Sequence, residues 1–316
     1  MEVSGDMART AYYSDRATGP VPRTGEEVTT EVWQGLVTLI TRRVDDGSFA
    51  MEFPARHCPD LPDAITGTDR DRFGIALNTL VPALRRESAP LPGDRSAFNL
   101  YSVPSTPVAL DVAEFAGQHI AEPSRRLNVG LHQHEHLSFE VYSRHQGREK
   151  FRADVELIFA RNGLAFTIDE DMCIRRLGPV DARSLLSDFA PHTGDSDLDR
   201  KLRAAHARFL SRDPQDRLDA LKDLWDAFER LKTLERGGEK KVSLHQLIDR
   251  AAPASPFRER LEAESAELTG IGNTFHIRHF EHDTAPLPEP ATTAVDYLFT
   301  RMLALIAYLL RQTGRM

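Results

Sequence analysis

The segment from Ala291 to Arg311, ATTAVDYLFTRMLALIAYLLR, is apolar on most sides of a helix, so it requires burial around most of its circumference. Such a helix belongs at the centre of a bundle, and the chain before it supplies the partners. Asp195 to Leu210 and Pro214 to Leu234 read as helices, the second opening on a proline where no amide donor is lost. Leu218, Leu221, Leu224, Trp225, Phe228 and Leu231 give that helix a wide apolar stripe, which identifies Trp225 and Phe228 as core residues. Gly237-Gly238 interrupts the pattern. Ser243 is expected to cap a short helix carrying Leu244, Leu247 and Ile248. Ser255-Pro256 opens another helix that continues through Leu261, Leu268 and Ile271 toward Ile277. Residues 195–316 therefore read as a bundle of about five helices with short connections.

The texture changes near residue 190, and what precedes it is richer in proline and broken into shorter pieces. Residues 1–25 show little periodicity and are expected to form a mobile arm. Apolar spacing predicts helices over Glu26–Val44, Asp69–Leu84 and Thr106–Ile120, and another from Phe151 to Arg161 that ends at Asn162-Gly163. The following LAFTIDEDMCIRRL alternates, turns at Asp169–Asp171 and returns, as a two-stranded hairpin does. A helix feeding a hairpin has the shape of a winged-helix unit. The expected fold class is thus mainly α, with an N-terminal α+β sensing or regulatory region over residues 26–190 and a helical bundle over 195–316.

Composition narrows the function. Forty Lys+Arg against forty-eight Asp+Glu give a formal charge of −8, so there is no global basic field and any nucleic-acid contact must use a local patch. One such strip would arise from Arg175, Arg176, Arg200, Lys201 and Arg203 if the hairpin lay beside the first bundle helix. Two cysteines, Cys58 and Cys173, make neither a disulfide framework nor a four-thiolate zinc site and suggest a reducing compartment. The opening residues carry acids and no apolar core, unlike a secretory signal. The apolar run from Leu303 to Leu310 falls short of the roughly 20 residues of a membrane span. A cytoplasmic protein without membrane association is expected. No phosphate-binding loop, dinucleotide glycine fingerprint or nucleophile elbow is present, and no cofactor is expected.

Two histidine clusters carry the candidate chemistry. In LTGIGNTFHIRHFEHD, helical spacing would put His276 and His279 on one side, Arg278 and His282 on another, and Asn273 one turn before His276. Histidine can move a proton to or from a ribose hydroxyl, arginine can stabilise phosphate charge and asparagine can orient the group, without a metal. The same residues also make an ordinary polar helix end, with cations near the negative pole of the macrodipole. The second cluster, GLHQHEHLSFE, places His132, His134 and His136 at alternating positions. On a strand they would share a face, either as a weak candidate zinc or nickel triad or as a polar loop or edge strand. His57 and Cys58 are near-neighbours in type, and nothing requires them to join it.

The helix LKDLWDAFERLKTLE, the short SLHQLID helix, GNTFHIRHFEHD and the final VDYLFTRMLALIAYLLR together resemble the C-terminal domain of AbiJ-type abortive-infection proteins. That domain belongs to the HEPN (higher eukaryotes and prokaryotes nucleotide-binding) superfamily. The resemblance covers about residues 195–316, and more weakly the region from Phe151. It implies a HEPN-like helical bundle that often dimerises, and frequently a metal-independent ribonuclease toxin of antiphage defence. Active members generally carry arginine, often followed by a polar residue, then a short gap and histidine. Counting back from His279, the polar position is Asn273, and Gly272 stands where arginine is expected. Two outcomes stay open. In one, Asn273, Arg278 and His279 form a variant site, with His276 and His282 in support. In the other, the nuclease is lost and the bundle is a dimerisation or interaction module for a partner protein or nucleic acid.

Overall fold

The computed structural model describes residues 12–89, 98–127, 135–211, 213–235, 240–254, 256–275, 277, 285–288 and 291–316. The chain is mainly helical with small antiparallel sheets. It divides into two compact units, Met1–Arg175 and Arg176–Met316.

The first unit is built around α2 (Thr30–Asp45), which follows the short α1 (Tyr13–Thr18). Trp33, Leu36 and Ile40 of α2 are fully buried, and the Trp33 indole donates to the Asn99 carbonyl at 2.8 Å. Two-residue strands β1 (Pro54–Ala55) and β2 (Gly67–Thr68) pair ahead of α3 (Arg70–Leu80) and α4 (Pro82–Glu87). The single helix expected over 69–84 is divided here, because Pro82 lacks an amide donor and drives Val81 out of the helical region (φ −120°, ψ 67°). The alanine-rich α5 (Thr106–His119) leads to β3 (Ser124–Leu127), which pairs antiparallel with β4 (Glu135–Ser138) in the register Arg125↔Leu137. Then α6 (Ser143–Arg161) buries Phe151, Val155 and Phe159. β5 (Phe166–Ile168) and β6 (Ile174–Arg176) form the hairpin that the alternation predicts. Asp169 closes its turn: one carboxylate oxygen accepts the amides of Asp171 (3.0 Å) and Cys173 (2.9 Å), and the other accepts from Arg175 (2.8 Å).

Residues 12–25 are docked rather than free, which corrects the expected arm for that stretch. Arg161 lies over the Tyr12 ring at 4.5 Å. Arg23 donates to the Leu164 carbonyl (2.9 Å) and pairs with Glu156 (3.1 Å), and Gly25 bridges to Leu164. Residues 1–11 lie outside the described residues. Long-range ion pairs of this kind leave no periodic trace in a sequence.

The second unit begins at Arg176, ahead of the change of texture near 190, because Ala182, Leu186 and Phe189 already pack into the second core. A 3₁₀ turn at Val180–Ala182 and α7 (Arg183–Ser187) precede the bundle helices α8 (Ser196–Phe209), α9 (Pro214–Leu231), α10 (Lys240–Ala251), α11 (Phe257–Thr274) and α12 (Ala291–Gln312). By length and composition α12 could cross a membrane. Its Leu298, Phe299, Met302, Leu303, Ile306 and Leu310 instead make the bundle core, and Phe299 stacks on Phe209 of α8 at 3.8 Å. Ser243 is not a cap. It sits inside α10, fully buried, where its hydroxyl accepts the Glu235 amide at 3.0 Å. Arg176 is also enclosed, paired with Asp296 of α12 and 5.5 Å from the Phe209 ring, so it cannot join a basic surface strip.

Asp195 caps α8 by accepting the amides of Asp197 and Leu198 at 3.1 Å each, and it also takes a two-pronged bond from Arg230 of α9. The Arg230 guanidinium holds its carboxyl below the ordinary aspartate value, against a smaller push from burial. A lowered carboxyl contributes stability that is full above its unfolded-state pKa and disappears as pH falls through the folded-state value. Asp195→Ala is expected to cost about 1–2 kcal/mol in urea unfolding at neutral pH. The gap from wild type should close as the buffer is acidified below the lowered carboxyl pKa.

Candidate functional site

The candidate nuclease residues depend on how α11 ends. It stops at Thr274, and Phe275 is extended (φ −100°, ψ 160°). The Thr274 carbonyl accepts the Ala285 amide at 2.9 Å and Phe275 pairs in parallel with Ala285, so backbone groups that would continue a helix are spent on strand-like pairing. The α11 helix therefore does not run on from Asn273 through Phe275, and the face expected to be shared by His276 and His279 lies outside the described residues. Asn273 itself lies exposed in the last turn of α11. His276, Arg278, His279 and His282 lie outside the described residues. Between them Ile277 is buried at 2% exposure in the second core. Phe275 and Ala285 are thus paired on either side of residues 276–284, and Ile277 between them packs into the second core.

Gly272, at the position where the motif arginine is expected, faces inward. A Cβ there would collide with Nε1 and Cδ1 of Trp225, whose indole donates to the Leu268 carbonyl at 3.0 Å one turn earlier. An arginine at 272 is excluded by this contact. A cation is present nearby from another source. Lys232, at the C-terminus of α9 and only 8% exposed along its side chain, donates to Thr269 (2.7 Å) and pairs with Glu229 (2.5 Å). Thr269 precedes Asn273 by one turn on the same face of α11.

In the other histidine cluster, only His136 is described. It lies on β4 opposite Arg126, on the face away from the buried Leu137. His132 and His134 lie outside the described residues. Among the described residues no group of three or more His, Cys, Asp and Glu side chains is placed to hold a metal. Neither thiol is set up as a nucleophile: Cys58 is buried, and burial with nearby Asp169 and Glu114 pushes the Cys173 thiol up.

A second polar arrangement went unrecognised in the sequence. Arg144, Arg148 and Arg152 recur every four residues along α6 and line a groove of about 420 Å³ in the first unit. The signal was available in SRHQGREKFR, but charge at helical spacing ordinarily marks a solvated face. Here Gly147 approaches the 120–122 backbone so closely that a Cβ would lie 2.7 Å from Ala121 Cα. That approach lets Arg144 (3.0 Å) and Arg148 (3.3 Å) both reach the Gln118 carbonyl.

Comparison with known protein families, curated proteins and solved structures finds no match.

The Gly272 contact is directly testable. Alanine normally favours a helix over glycine by about 1 kcal/mol. Overpacking a close contact costs about 1–3 kcal/mol, and the atoms to be displaced belong to a fully buried indole. Gly272→Ala is expected to destabilise the protein, with a changed tryptophan near-ultraviolet dichroism, both measured by thermal unfolding followed at that signal.

Proposed function

We propose that this chain is a cytoplasmic, dimeric antiphage-defence protein of the abortive-infection type, whose HEPN-like C-terminal bundle binds RNA and cleaves it without a metal. The observation that supports the reading is the end of α11, where Asn273 is exposed in the last turn and Phe275 pairs with Ala285, so that Arg278 and His279 follow it within six residues of sequence. Loops held on rigid scaffolds are common places for binding and catalysis. Arg278 neutralises the scissile phosphate, His279 acts as general acid/base toward the ribose hydroxyl, Asn273 orients the phosphate, and His276 and His282 support them. The first unit, with α6 feeding a winged-helix-like hairpin, senses the trigger.

Gly272 favours a second reading, a catalytically silent HEPN-like module that dimerises and holds a partner protein or nucleic acid, since packing against Trp225 removes the usual motif arginine.

Expression toxicity and RNA integrity of wild type against His279→Ala separate the two. In the first reading, cleavage by purified protein persists in chelator and leaves a 2′,3′-cyclic phosphate. His279→Ala lowers its rate by about 10²–10⁴-fold while the melting temperature is unchanged. Cleavage that survives His279→Ala refutes the site. A wild-type protein that leaves RNA intact and still dimerises supports the second reading.

A further inference from the structure

The arginine row of α6 runs against the usual electrostatics of a helix. Cations favour the C-terminal end, where the macrodipole is negative, and acids favour the first turn. In α6 the first turn holds no acid, while Arg144 and His145 occupy it and Arg148 follows in the next. Three guanidiniums one turn apart repel one another, and Arg144 in the first turn also opposes the positive pole of the helix. Part of that cost is met by neighbours. Arg144 pairs with Glu52 at 2.6 Å, and among the described residues Arg152 pairs only with the 90% exposed Glu170 at 3.6 Å. Arg148 has no carboxylate within 4.0 Å among the described residues, and its Nε is buried without a hydrogen-bond partner. Capping the end of α5 does not explain this, because one donor would serve the Gln118 carbonyl and two arginines reach it.

We propose that this groove is a binding site for a phosphorylated small molecule of nucleotide size, its phosphates held by Arg148 with Arg144 and Arg152. An anion there would meet the first turns of the helix and the guanidinium row together. The volume, about 420 Å³, lies in the range of small-ligand sites. Val141 and Met172 add an apolar wall suited to the uncharged part of such a ligand. Glu149 and Glu170 border the same groove and interrupt the cationic path that an extended nucleic-acid strand would follow, which favours a compact ligand. This site belongs to the first unit and stands whether or not the bundle cleaves RNA.

The test is isothermal titration of the full-length protein at constant ionic strength with pyrophosphate, adenosine triphosphate, adenosine and a short single-stranded RNA. Pyrophosphate and adenosine triphosphate should bind and adenosine should not. Arg148→Gln should weaken both by at least about tenfold, the loss expected for a charged hydrogen bond. Arg152→Gln should weaken them less, Glu149→Gln should not weaken them, and Lys222→Gln, in the second unit, should leave them unchanged. Unaltered melting temperatures identify these as binding effects. The proposal is overturned if neither phosphate compound binds at millimolar concentration, if Arg148→Gln binds as well as wild type, or if only RNA binds through Arg148.

Discussion

The indole of Trp225 is the contact around which the second unit is arranged. It is fully buried on α9, bonded to the Leu268 carbonyl of α11 and touching Gly272 where any larger residue would collide. The contact brings α9 and the C-terminal part of α11 into close approach two residues before α11 ends at Thr274. Lys232 braces the same pair of helices through Thr269, with Phe228 under its ammonium at 4.7 Å. Because the contact is backbone against indole, it tolerates no side chain, and a catalytic arginine at that position would need a different helix pair. A cation for any anion near the end of α11 must therefore come from a position other than 272.

Most charges in both units are paired across neighbouring elements. The bundle pairs its ions locally across neighbouring helices, as at Asp195–Arg230, Glu264–Arg301 and Glu235 with Arg250 and Arg315. At Glu235 burial raises the carboxyl, and the bonds from Arg315 and Arg250 outweigh it, leaving the carboxyl below its ordinary value. These pairs join elements that are adjacent in space and add specificity to an apolar core more than they add stability. The N-terminal half of α6 departs from that pattern, with a row of arginines that begins in an acid-free first turn and one buried guanidinium nitrogen, Arg148 Nε, without a hydrogen-bond partner. Departures from local rules tend to mark function, since neither packing nor helix stability benefits. An overall charge of −8 conceals this, because a sum over the chain says nothing about where its cations stand.

Much of the bundle was legible because its signals are local. The stripe on α9, the nearly all-apolar α12 and the start at Pro214 are read from residues within one helix. The hairpin was legible for the same reason, through alternation on either side of an acidic turn. What escaped depended on distant partners. Ser243 has the residue type of a cap and serves as a buried acceptor for Glu235, while Tyr12 to Gly25 look structureless until Arg161, Glu156 and Leu164 are placed beside them. The end of α11 escaped because Ala285 competes for the Thr274 carbonyl from across the connection.

By itself the sequence determined that the chain is mainly helical, that its last helix is central to a bundle, and that histidine and arginine, rather than thiols, are the residues available for chemistry. Periodicity and composition suffice for these because each is a property of neighbouring residues. Only the tertiary structure decided that Gly272 is a packing residue, that Arg176 is enclosed with Asp296, and that Arg144, Arg148 and Arg152 border a groove. Those outcomes turn on which backbone approaches which side chain, and distance along the chain does not encode that.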